Sequence, residues 1–156
     1  MKHIKFKDWT LIVDVEATQQ LYAKWTEGSA ERCGCDNCKN FIANRSNAYP
    51  NDIQALFASI GIDYRKELDV NYISKNSCHQ HFYDGSFYFV GSFIGKDCRI
   101  QLDKESYTRE LQAINDNFKM GFCSTKLDLF DSVQNTVEIF FITVLPWKID
   151  KCLDIN

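Results

Sequence analysis

The chain has 156 residues, 45% of them hydrophobic, enough for one domain with its own core. Its aromatics (12 Phe, 7 Tyr and 3 Trp), set against seven glycines and two prolines, exclude disordered, collagen-like and low-complexity classes. A net charge of −3 lacks the Lys and Arg excess that phosphate neutralisation requires, so nucleic acid is not an expected partner.

In chain order, Lys2, Lys5 and Lys7 form a small basic start, read as a solvated strand edge. Residues 5 to 15 mix β-branched and aromatic residues with polar punctuation and predict one strand. Ala17, Leu21 and Trp25 then recur at i, i+4 and i+8, the apolar face of a helix that Gly28 ends. A second helix is predicted over 36–47, with Cys38, Phe41, Ile42 and Arg45 on one face and Asp36 as its cap. A third begins at Pro50, carries Ile53, Leu56, Phe57 and Ile60 on its inner face, and stops at Gly61.

Beyond residue 63 the pattern turns to β. Strands are predicted at 68–73 and 86–94, with Asp84-Gly85 as the turn before the second and 98–102 returning antiparallel. Tyr107, Leu111 and Ile114 permit a short helix over 106–118. Further strands follow at 118–123 and 137–145, the latter apolar on both alternating faces and so expected at the centre of the sheet, covered on both sides. There is no βαβ alternation, repeat or linker. The fold expected is a single α+β domain, a largely antiparallel sheet with helices concentrated in the N-terminal part.

No export signal is visible, and the greasiest stretch falls short of the ~20 apolar residues that span a bilayer, so the chain reads as cytoplasmic, with no membrane partner. In a reducing compartment seven cysteines point to free thiols or metal ligands rather than disulfides.

Chemistry concentrates in Cys33-Gly34-Cys35-Asp36-Asn37-Cys38. Three sulfurs at CxCxxC spacing, in a turn leading into a helix, can converge on one tetrahedral ion, and zinc is the default metal for thiolates. A fourth ligand is sought in Cys78, His79 and His81, which lie close together; on an extended chain the two histidines share a face, and His81 is the candidate taken. The competing reading is that the thiols are small buried hydrophobes, as Cys98, Cys123 and Cys152 are expected to be. A thiol-dependent enzyme using Cys35 or Cys38 with His81 is the alternative from another class. P-loop, GxGxxG, HExxH and GxSxG signatures do not occur.

The string Cys33-Gly-Cys-Asp-Asn-Cys-Lys-Asn-Phe41, with Tyr49-Pro50, Leu56-Phe57, Gly61-Ile-Asp63, 84–91 and more loosely Pro146-Trp147, resembles a group of short, uncharacterised bacterial proteins. The resemblance implies a bacterial intracellular protein and no particular activity. With no catalytic signature and many aromatics, the function expected is a non-catalytic domain acting by binding another protein, with zinc tying its helical half to its sheet.

Overall fold

The computed structural model describes residues 1–129 and 132–149. The chain opens with a hairpin of β1 (Lys2–Phe6) and β2 (Trp9–Val13), where a single strand was expected. Lys7 turns the chain with φ +49, breaking what composition alone makes a continuous β run. Asp14 then caps α1 (Val15–Ala23), its carboxylate accepting from the Ala17 amide at 3.0 Å.

The helix stops at Ala23, capped by Lys24, short of the predicted end at Gly28, which instead opens a short helix, α2 (Ser29–Cys33). The next two follow the predicted periodicity as α3 (Asp36–Ala48) and α4 (Asn51–Ile60), the latter between Pro50 and Gly61 as its caps. The residue that caps α3 is Cys35 rather than Asp36, and its sulfur accepts from the Cys38 amide.

The remainder is strand: β3 (Asp69–Lys75), β4 (His81–Ile94), β5 (Arg99–Gln101), β6 (Tyr107–Arg109), β7 (Gln112–Asn115), β8 (Phe118–Leu129) and β9 (Ser132–Leu145). Asp84-Gly85 lies inside β4 instead of at a turn. A Cβ at Gly85 would sit 2.4 Å from the Asp69 carbonyl oxygen and 2.6 Å from the Phe141 ring, so glycine here admits close approach of a neighbouring strand. The 98–102 segment pairs with β6 rather than returning along β4. Where a helix was permitted over 106–118 there are two strands; Tyr107 is exposed, so the three residues that suggested a helical stripe do not share a buried face.

Among the described residues seven strands form an antiparallel sheet in the order β1-β2-β4-β9-β8-β7, with β3 also paired to the first half of β4. The fold is therefore α+β and strand-dominated. Its first two strands precede the helices and join the same sheet, so the chain does not divide into a helical half and a sheet half.

As predicted, β9 lies centrally, between β4 and β8. Its odd-numbered residues Val137, Ile139, Phe141, Thr143 and Leu145 face the helices and are buried with Phe57, Phe87 and Phe118 around Tyr49. Its other face is covered only in part: Phe140, Ile142 and Val144 stay half-exposed. The segment carrying β5 and β6 crosses that face, bringing Cys98 against Gly121 and the Arg109 guanidinium 4.0 Å over the Phe140 ring. Cys98 and Cys123 are buried there, as expected for packing residues, and burial pushes their thiols up to about 11 and about 12. Cys152 lies outside the described residues.

Candidate metal centre

The three clustered cysteines sit on one tight reversal between α2 and α3. Cys33 is the last residue of α2, Gly34 turns the chain with φ +70, and Cys35 begins the next helix as its cap. A residue with a Cβ would be strained at Gly34 by its backbone alone, since no neighbour lies within 4 Å of the position. The reversal brings the sulfurs of Cys33, Cys35 and Cys38 within 4.8 Å of one another. A tetrahedral zinc with Zn–S bonds of about 2.3 Å sets its sulfurs about 3.8 Å apart, so closure requires shifts of about 1 Å or less.

Backbone donors are already aimed at the sulfurs. The Cys38 amide donates to Cys35 Sγ at 3.4 Å. The Cys35 amide, followed by the Cys35 and Cys38 thiols, holds the exposed Cys33 thiol below its ordinary pKa. Cys38 moves the other way: burial pushes its thiol well up, and hydrogen bonding with Cys35 and Cys33 adds to the rise. The lowered thiol is on Cys33, which the nucleophile reading left out, while a protonated Cys38 is a poor nucleophile.

Two interactions fix this reversal against the fold. Arg45 is buried on α3 and forms a bidentate pair with Glu67, while also binding Glu31 of α2. Tyr49 donates to the same Glu67 carboxylate at 2.8 Å, and the Ser29 amide donates to the Glu67 carbonyl at 2.9 Å. The helix carrying Cys33 is thereby tied to the one carrying Cys38. An arginine on an otherwise apolar helical stripe, seven residues after Cys38, was the sequence signal for such a buried pair; its partners, 14 and 22 residues away, were not legible.

The second interaction uses another face of α3. Asn40 and Asn44, both fully buried, donate to the Pro146 carbonyl at 3.1 and 3.0 Å, and Asn40 Oδ1 accepts from the Lys148 amide at 2.8 Å. Tyr83 completes the group, accepting from Asn40 and donating to the Asn37 carbonyl at 2.8 Å.

The candidate fourth ligands do not join the sulfurs. Among the described residues no fourth His, Cys, Asp or Glu belongs to the group of Cys33, Cys35 and Cys38. His81 is buried at the start of β4, its Nδ1 3.0 Å from the Tyr72 hydroxyl and its ring 5.0 Å from that of Trp147. His79 does not share its face: it sits in the exposed turn before β4 with φ +57, because the chain there is not extended. Cys78 is exposed in the same turn.

No helix among the described residues is long and apolar enough to cross a membrane. No protein family, curated protein or solved structure matches the chain.

Proposed function

We propose that this protein is a non-catalytic domain that acts by binding another protein, and that a zinc ion held by Cys33, Cys35 and Cys38 stabilises its helical layer. The observation that carries the metal reading is the convergence of three sulfurs within 4.8 Å on a reversal whose amides already point at them. Thiolates select zinc among the common divalent ions, and a coordinated thiol loses its proton outright, which removes the obstacle that burial sets for Cys38. Support for a protein partner comes from the hairpin of β5 and β6, where Ile100, Leu102 and Tyr107 are exposed. A bacterial, intracellular setting is part of the same reading and rests on the resemblance of residues 33 to 91.

Metal content of protein purified without chelator tests the proposal. About one zinc per chain is expected, lost together with folded stability when Cys33, Cys35 and Cys38 are changed to Ser, since binding energy at a structural site is folding energy. Zinc-free protein whose triple variant unfolds at the wild-type urea midpoint would overturn it.

A further inference from the structure

We infer that the cleft between the C-terminal turn of α3, the start of β8 and the end of β9 is a binding site for a small polyhydroxylated molecule, a neutral or acidic monosaccharide. The inference is independent of the zinc reading, since none of the three clustered cysteines lines the cleft.

The cleft holds about 230 Å³, too large for a single bridging water and below the roughly 300 to 1,000 Å³ of drug-sized pockets. Asn44 and Asn47 reach it from α3, Asn117 from the turn before β8, and Lys148 from the segment after β9. One polar atom there is unmatched. Asn44 is fully buried, and its Oδ1 has no hydrogen-bond partner among the described residues. The other end of the same amide fixes that atom as an acceptor, because Nδ2 donates to the Asn40 carbonyl at 2.9 Å and to the Pro146 carbonyl at 3.0 Å. A buried acceptor left bare keeps its full desolvation cost, so the atom calls for an O–H or N–H donor.

The surroundings favour hydroxyls as that donor. Among the described residues no carboxylate lines the cleft, whereas Lys148 does, so a cationic ligand would meet a like charge and no counter-charge. Asn47 and Asn117 are exposed, and each side-chain amide sets a donor beside an acceptor. Adjacent hydroxyls of a sugar ring, each able to donate and accept, match that pairing. Pro50 and Val144 add apolar wall, against which the C–H face of the ring packs.

Proton–nitrogen correlation NMR of the full chain, titrated with D-glucose, D-glucuronate and putrescine as a cationic control, decides it. Glucose should give saturable shifts at the side-chain amides of Asn44, Asn47 and Asn117, with a Kd on the order of 1 mM, the affinity that a dozen non-hydrogen atoms supply at ordinary ligand efficiency. Glucuronate should bind at the same residues at least as tightly, and putrescine should leave them unshifted. Asn117→Ala, at an exposed position, should keep the folded spectrum and weaken glucose binding about 3- to 10-fold, the worth of one neutral hydrogen bond. Lys148→Ala should lower the affinity for glucuronate and leave that for glucose unchanged. Shifts that never saturate with either sugar, saturation only at residues elsewhere, or equal binding of putrescine would overturn the inference. So would wild-type affinity for glucose in Asn117→Ala.

Discussion

Arg45 and Glu67 form a bidentate pair, Nε to Oε1 at 3.0 Å and Nη2 to Oε2 at 2.8 Å, with the Glu67 side chain wholly out of solvent. A pair this deep is worth little against an apolar replacement of both partners, but losing one leaves an uncompensated buried charge. Arg45→Met is therefore expected to cost about 3 to 5 kcal/mol in urea unfolding. Arg45→Met with Glu67→Leu should recover part of that loss. Equal stability of the single variant and the wild type would show that the pair does not hold α2 to α3.

The outer arm of the same cluster is sensitive to pH. Burial alone would push the Glu31 carboxyl up, but its hydrogen bonds to Arg45 outweigh this and hold it below the usual carboxylate range. A depressed folded-state pKa means that the contribution is complete above the unfolded value, about 4.3, and is lost as pH falls through the folded one. The stability gap between wild type and Glu31→Gln should be present at pH 7 and shrink below about pH 4. A gap that widens on acidification would contradict the assignment.

On α4, Leu56 and Phe57 are buried and Ser59 is half-buried. Leu56→Ala or Phe57→Ala should cost roughly 2 to 5 kcal/mol through the cavity left behind. Ser59→Ala loses only a bond to the Leu56 carbonyl and should stay within about 0.5 kcal/mol. Thermal or urea melts of the three variants give the comparison, and three equal small losses would mean that the helix does not face the core.

Because β9 is paired on both edges, the amides of residues 140 to 144 should exchange only when the whole domain opens. Phe141→Lys, at a fully buried position, should abolish soluble expression. Glu138, although polar and near the start of the apolar run, does not lie in solvent. It is buried between Arg109, 3.0 Å away, and the Tyr88 hydroxyl at 2.9 Å, so Glu138→Lys should cost about 3 kcal/mol or more. Hydrogen exchange followed by mass spectrometry, with denaturation of the Glu138 variant, checks both; rapid exchange across these amides would place the run at an exposed edge.

The parts legible in sequence are those whose burial is periodic along a short stretch. Ile53, Leu56, Phe57 and Ile60 each bury on one helical face, so their spacing alone located α4. The central position of 137–145 followed likewise from its apolar density. Illegible were features decided by distant contacts. Gly85 looks like a turn until Asp69 and Phe141 are seen pressing on it. Segment 106–118 looks helical until Arg109 is seen leaving for Glu138. For the candidate centre, local spacing identified all three cysteines, which lie within six residues, whereas the choice of His81 depended on a position forty-three residues after Cys38 that only the folded sheet could decide.

That division between local and distant contacts also sets an order of events during synthesis. The reversal with its three sulfurs is complete by Ala48, whereas the pairing of His81 with Leu145 in the centre of the sheet awaits a residue 97 positions later (145 − 48). At about 5 to 20 residues per second, Cys38, the one of the three that the finished fold buries, spends roughly 5 to 20 seconds on a nascent chain without its sheet. The long-range strand pairing that follows is itself slow to form. An early-binding ion would shield these sulfurs from oxidation and mispairing throughout that interval, a protective role separate from any stability it lends the finished domain.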